Sequence, residues 1–199
     1  MLKKPGLDQS DMTNFRPITN LPTLSKILER LALRRLRHHV MTTGNFSKYQ
    51  SAYRTGHSTE TALLKVVNDV ITSVCHQEPT VLLSLDISAA FDTIDHNILT
   101  DRITREFGIS GCSHFSLVAC STLVLVTVSC LSGVPQGSVL GPLLFAMYIS
   151  PVDNVVAAHN LHQHQYADDT QLYMAVRPST DFQLHWRCFS VVPGKWFAP

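Results

Sequence analysis

Tyr166-Ala167-Asp168-Asp169 sets two adjacent carboxylates between two runs of alternating apolar and polar residues, 162–167 and 171–176. Alternation with a period of two reads as a pair of strands, and a short polar break between them reads as a hairpin tip. An Asp-Asp tip has two readings. It can gather hard oxygen ligands for a metal ion, or it can be a plain polar turn, because aspartate bonds readily to nearby backbone. The residues upstream bear on that choice.

Val81-Leu82-Leu83-Ser84-Leu85 is a short run of strand-forming residues ending in Asp86, so a second strand delivers a third carboxylate at its end. Between the two acidic places lies Gly133-Val134-Pro135-Gln136-Gly137-Ser138-Val139-Leu140-Gly141-Pro142, whose Gly and Pro content predicts a shaped turn opening a helix. These three segments, in this order, resemble motifs A, B and C of reverse transcriptases. The resemblance extends to Asn14-Phe15-Arg16-Pro17-Ile18, to the stretch from Gln50 to Thr59, and to Ser88-Ala89-Ala90-Phe91-Asp92-Thr93-Ile94-Asp95-His96. Together they are similar to the LINE-type, non-LTR retrotransposon polymerases, with matches from Leu2 to Gly111 and from Ser132 to Pro178.

The resemblance implies an α+β fold: a polymerase right-hand palm with an antiparallel sheet bearing the acids, plus partial fingers. Residues 1–75 would be the partial fingers and 76–178 the palm, with a divergent insert at 112–131 and a divergent tail at 179–199. Relatives carry a Trp-containing helix and an Arg-bearing hairpin where this chain has its insert. The segments expected after motif C, including the lysine-bearing motif D and the thumb, are not recognisable, so a truncated domain is expected. No endonuclease domain is recognisable before the polymerase part.

The function implied is RNA-directed DNA polymerisation, adding dNTPs to a primer 3′ hydroxyl with two Mg²⁺ ions. Nucleotidyl transfer needs an activated hydroxyl and a stabilised pyrophosphate, which paired metal ions supply. By resemblance Asp86 and Asp168 are the metal ligands, the Ile87 carbonyl completes one shell, and Asp169 is the neighbouring catalytic acid. Clustered carboxylates repel, so they should bind cations or titrate high. Phe91 stands where the family has an aromatic side chain beneath the sugar, implying selection of dNTP over NTP; plain core packing is the alternative. Gln136 is placed to contact nucleotide or template through its amide. Arg16 and Arg54 match the two fingers motifs and suit triphosphate or template phosphates, with surface ion pairing as the alternative. Asp92 and Asp95 are expected to be structural, and His159, His162 and His164 lack the accompanying ligands of a zinc site.

Charge is consistent with this reading. The net charge is only +1, yet residues 1–54 hold ten Lys or Arg against three acids, for +7, and the remainder holds six against twelve, for −6. A basic part suits phosphates and an acidic part suits cations. The expected partners are therefore an RNA template, a DNA primer and dNTP, with oligomeric state left open. Five cysteines without a C-x-x-C pair predict reduced thiols, and with no targeting signal in view the expected location is intracellular, nuclear or cytoplasmic.

Periodicity predicts a helix over 24–40 with a basic stripe of Arg30, Arg34 and Arg37, and a second capped by Ser58 with Leu63, Val66, Val67, Val70, Ile71 and Val74 in phase. A third should start at Asp95 and stop at Gly108, and a fourth should run over 138–149 with Pro151 just past it. The uncharged run 117–131 has 15 residues, short of the ~20 that span a bilayer. It predicts a buried strand rather than a membrane segment.

Two functional readings compete: a polymerase domain fragment, and a catalytically inactive retrotransposon remnant that at most binds nucleic acid. Retained motifs favour the first. The altered 112–131 segment and the unrecognised thumb favour the second and argue against independent activity.

Overall fold

The computed structural model describes residues 2–3, 10, 15–16, 18–87, 90–110 and 133–175. The expected strand at 117–131, the tail at 179–199, and Cys112, Cys120, Cys130 and Cys188 lie outside the described residues. The elements are β1 (Leu2–Lys3), β2 (Phe15–Arg16), α1 (Thr23–Thr42), α2 (Thr59–Cys75), β3 (Thr80–Leu85) and α3 (His96–Arg105). They continue with α4 (Gly141–Ile149), α5 (Val152–Ala158), β4 (His162–Tyr166) and β5 (Asp169–Ala175). Helices with a small antiparallel sheet make this an α+β fold.

The chain divides into two compact units, Met1–Thr43 with Ala89–Phe145, and Gly44–Ser88 with Ala146–Pro199. In the first unit, α3 forms as the sequence predicts. The Asp95 carboxylate accepts from the N–H groups of Asn97 at 2.8 Å and Ile98 at 3.1 Å, Leu99 and Ile103 are buried, and Gly108 takes φ +63° just past the end. Phe107 is buried beside them, and its carbonyl bonds His39 of α1 at 2.8 Å.

Helix α1 meets its predicted span but not the packing its leucine pattern suggests. Its buried residues are Ser25, Glu29 and Val40, whereas Leu24, Ile27, Leu28 and Leu31 are exposed. The inward face is chosen by a polar contact. The Glu29 carboxylate accepts from Ser138 Oγ at 3.1 Å and from the backbone N–H groups of Val139 at 2.5 Å and Leu140 at 3.3 Å. These donors lie just before α4, where a carboxylate offsets the unsatisfied N–H groups and positive end of a helix. Helix α4 thus begins at Gly141, three residues later than predicted, with Pro142 in its first turn where no intrahelical N–H is required. The helix ends at Ile149 with Pro151 just past it, as predicted, and Pro151 is also the N-cap of α5. Together Gly141–Ala158 is long and apolar enough to cross a bilayer, and 61% of it is buried within the protein.

The first unit pairs β1 with β2, and the second contains a three-stranded sheet in the order β3-β5-β4, all pairings antiparallel. Strands β4 and β5 form the predicted hairpin, with Tyr166 opposite Asp169 and a two-residue turn of Ala167 and Asp168. The free edge of β4 is met by residues 49–51: Gln165 N–H donates to the Tyr49 carbonyl at 3.0 Å and Ser51 N–H to the Gln165 carbonyl at 2.9 Å. That cover explains why Gln163, His164 and Gln165 are all buried, without the alternation of a half-exposed strand. Helix α2 carries a reciprocal capping box, Thr61 N–H to Ser58 Oγ at 3.2 Å and Ser58 N–H to Thr61 Oγ1 at 2.8 Å. Its Ala62 and Val66 are buried while Leu63, Leu64, Val67, Ile71 and Val74 stay exposed. Asp69, on the same helix, accepts from Tyr173 Oη of β5 at 2.5 Å.

Candidate active site

Three acids lie at one end of this sheet. Leu85, the last residue of β3, pairs with Thr170 of β5, so Asp86 follows directly beside the strand start at Asp169. Asp168 occupies the second place of the hairpin turn. Asp86 and Asp169 are exposed and Asp168 is half-buried. Burial, then the charges of Asp168 and Asp86, push the Asp169 carboxyl above the usual aspartate range.

The turn itself is strained. Ala167 holds φ +57°, a conformation that normally favours glycine and costs a residue with a β-carbon ~1–2 kcal/mol. It is held by Gln50, which is fully buried. Gln50 Nε2 donates to the Ala167 carbonyl at 3.0 Å and Gln50 Oε1 accepts from the Ala167 N–H at 2.9 Å. The same oxygen accepts from Ala52 N–H at 3.1 Å. Tyr53 lies close enough to sense the acids: burial first, then Asp168 and Tyr166, raise its phenol to about 12.

The donor chemistry of this cluster fits a divalent cation, because three carboxylates are hard oxygen ligands whose repulsion a cation relieves. Among the described residues no three His, Cys, Asp or Glu side chains converge as a metal-holding group. Ile87 is half-buried just after Asp86, where its carbonyl remains a candidate ligand.

The other predicted site residues are distributed differently. Arg54 is in the same unit, but its Nη2 donates to the Ser47 carbonyl at 2.7 Å and its guanidinium stacks 5.0 Å over the Phe46 ring. Burial lowers its pKa, against the opposing pull of Asp153. Asp153 in turn accepts from Ser47 Oγ and Gln163 Nε2, both at 2.7 Å. Arg54 thus braces the residues leading into the Gln50 segment.

Phe91, Gln136 and Arg16 belong to the first unit. The Phe91 ring is half-buried and packs at 5.2 Å on Phe145, so the core-packing alternative holds for at least one face of the ring. Its carbonyl accepts from Val134 N–H at 2.7 Å, and Gly133 N–H donates to Ile94 at 2.8 Å. Gly133 takes φ +81°, and a β-carbon there would lie 2.7 Å from Asp92 Cα and from the Phe91 carbonyl oxygen. Only glycine fits this approach. The segment carrying Phe91 and the turn carrying Gln136 are thereby locked together. Gln136 is half-buried, and its carbonyl accepts from Thr19 N–H at 2.9 Å. Arg16 lies in β2, opposite Leu2.

The histidines find individual partners: His164 Nε2 bonds Ser51 Oγ at 3.0 Å, and His162 stacks on Tyr173. Two residues with structural roles, Gln50 at the acidic turn and Glu29 in the first unit, carry no assignment from the sequence. Gln50 stood inside a recognised motif without a role, and Glu29 is the lone acid between Asp11 and Glu60, a usable signal in so basic a stretch.

Comparison with known proteins places this arrangement in a family. The profile described as "Reverse transcriptase (RNA-dependent DNA polymerase)" matches residues 2–194. The chain belongs to the reverse transcriptase family, on the branch of the non-LTR retrotransposons. It is 33% identical over 159 residues to "Probable RNA-directed DNA polymerase from transposon X-element" of Drosophila melanogaster, covering 74% of this chain and 17% of that protein. It is 31% identical over 186 residues to "RNA-directed DNA polymerase from mobile element jockey" of Drosophila melanogaster, covering 85% of this chain and 20% of that protein. The jockey polymerase of Drosophila funebris is also 31% identical, over 193 residues, with 85% and 20% covered. The chain thus spans about a fifth of the length of these curated relatives.

Proposed function

We propose that this chain carries the catalytic acids of an RNA-directed DNA polymerase, acting on an RNA template, a DNA primer and dNTPs. The observation that carries the proposal is the delivery of Asp86 by β3 to the sheet end where the β4–β5 turn presents Asp168 and Asp169. Asp86 and Asp168 would hold two Mg²⁺ ions with the Ile87 carbonyl, while Asp169 tunes the charge of the cluster. Bound Mg²⁺ would stabilise the developing charge on the primer 3′ oxygen and on the pyrophosphate.

The other roles follow the family pattern. Phe91 selects against a 2′ hydroxyl, Gln136 contacts nucleotide or template, Arg16 faces phosphates, and Arg54 matches a fingers motif with the same chemistry. For Arg54, the bond to Ser47 favours positioning the 46–54 segment over direct phosphate contact. Residues 76–178 act as the palm and 1–75 as partial fingers, with Arg30, Arg34 and Arg37 offering phosphate contacts from α1. Work on a nucleic-acid template sets the place of action inside the cell, in nucleus or cytoplasm.

Primer extension with the purified chain, Mg²⁺, dNTPs and an RNA template tests this. Incorporation should fall on the order of 10²-fold or more in Asp168→Ala, the scale of losing one electrostatic catalytic group. Incorporation that does not depend on Asp168 would sink the assignment. A second reading, a remnant that binds nucleic acid without extending a primer, is favoured by the divergent 112–131 segment. It is supported by RNA binding that weakens with salt in the absence of extension.

A further inference from the structure

We propose that Gln50 is a positioning residue for Asp168: its buried carboxamide fixes the left-handed turn that aims this carboxylate at the acidic end of the sheet. The inference rests on the metal-binding reading of the acids given above.

A two-residue hairpin with positive φ at its first central position ordinarily uses glycine there. Here the residue is Ala167 at φ +57°, and the backbone cannot relax without turning Asp168, the next residue, out of place. Gln50 supplies what glycine would have made unnecessary. One side chain satisfies both backbone groups of Ala167, donating to its carbonyl and accepting from its N–H. Such a matched pair of bonds mimics a strand partner, and it specifies the peptide orientation on both sides of the residue.

The carboxamide is itself fixed. Its oxygen takes a further bond from Ala52 N–H, and its backbone is bridged to Gln165 of β4, so the clamp and the hairpin it holds share one frame. Glutamine is the only ordinary side chain of this length that both donates and accepts in fixed geometry. Gln50 Oε1 and Nε2 touch the turn and none of the acids in these bonds, so the residue acts through the backbone.

The test is Mn²⁺ binding to the full 199-residue chain, followed by electron paramagnetic resonance, with amide hydrogen exchange at Ala167 as a second reading. Gln50→Met keeps the volume and removes both bonds. We expect Mn²⁺ affinity to fall ~10-fold or more, the scale seen when a partner of a metal ligand is lost. Adding Ala167→Gly to Gln50→Met should restore most of that affinity, because glycine takes the turn conformation unaided. A loss caused merely by a damaged core would not be rescued this way. Gln50→Asn, a polar and shorter amide, serves if Gln50→Met does not fold.

Unchanged Mn²⁺ affinity in folded Gln50 variants, or no rescue by Ala167→Gly, overturns the positioning role. Failure of the parent chain to bind Mn²⁺ overturns the metal reading instead. In that case, and if no Gln50 variant folds, exchange in the parent chain decides the clamp: a protected Ala167 amide supports it, and a freely exchanging one refutes it.

Discussion

Glu29 and Val139 are 110 positions apart, yet the Glu29 carboxylate sits 2.5 Å from the Val139 N–H and ties α1 to the start of α4. One oxygen also accepts from Ser138 and Leu140, and the other is buried with no partner among the described residues. Glu29→Ala strips a charged cap from three donors, and should lower stability by ~2–3 kcal/mol. A drop in the urea midpoint at unchanged slope is the expected signature. Unaltered stability would mean the contact contributes nothing.

Gly133→Ala is the harsher substitution. Its β-carbon would collide with backbone at 2.7 Å, and backbone cannot swing aside as a side-chain tip can. Strain at positive φ adds to the clash, for a loss above ~2 kcal/mol. The variant should melt far below the parent or fail to accumulate as soluble protein.

Asp169 gives a pH signature. Its folded pKa is raised, so the folded chain holds this proton more tightly than the unfolded chain. In metal-free buffer this carboxyl favours folding at low pH, and its contribution is lost as pH rises from the usual aspartate range through the raised folded value. Asp169→Asn should therefore raise the melting temperature of the metal-free chain above that window. The gain should stay within ~1 kcal/mol, since the side chain faces solvent. The same variant should bind Mn²⁺ more weakly than the parent, and a lower melting point in chelator would contradict the repulsion.

Tyr173→Phe removes the bond from Tyr173 Oη to Asp69. Burial disfavours the Asp69 charge, but bonds from Lys65 and Tyr173 outweigh it and hold the carboxyl below its usual range. A lowered carboxyl stabilises the fold above its unfolded pKa, and that contribution fades as pH falls through the folded value. The substitution should cost ~1.5 kcal/mol at neutral pH, the scale of a bond to a charged group. The difference from parent should shrink in acid, as read from melting curves across pH.

Much of the site was legible because its signals are local. Alternation on both sides of Tyr166-Ala167-Asp168-Asp169 gave the hairpin, Val81–Leu85 gave the strand that ends at Asp86, and Asp95 with Gly108 bounded α3. Periodicity also found α1 and α2, but a repeat only says that an apolar stripe exists. Which stripe turns inward depends on what the helix meets. On α1 the decision falls to Glu29 and its distant donors, and on α2 the side of Ala62, Val66 and Asp69 faces in. The Gln50 clamp was hidden for the same reason, since its partner lies 117 positions away. The position of Arg54 shows the converse: a motif names the residue, while burial and a nearby carbonyl decide where its guanidinium points.

The sheet order has a consequence for how this chain comes to be folded. Among the described residues strand β3 pairs with β5 alone, and the two are separated by the whole of α3, α4, α5 and β4. Closing so long a loop makes this pairing a late and slow event, and during synthesis β3 must wait until residue 175 has left the ribosome. The first acid is thus made early and stays without its neighbours until the last described strand arrives.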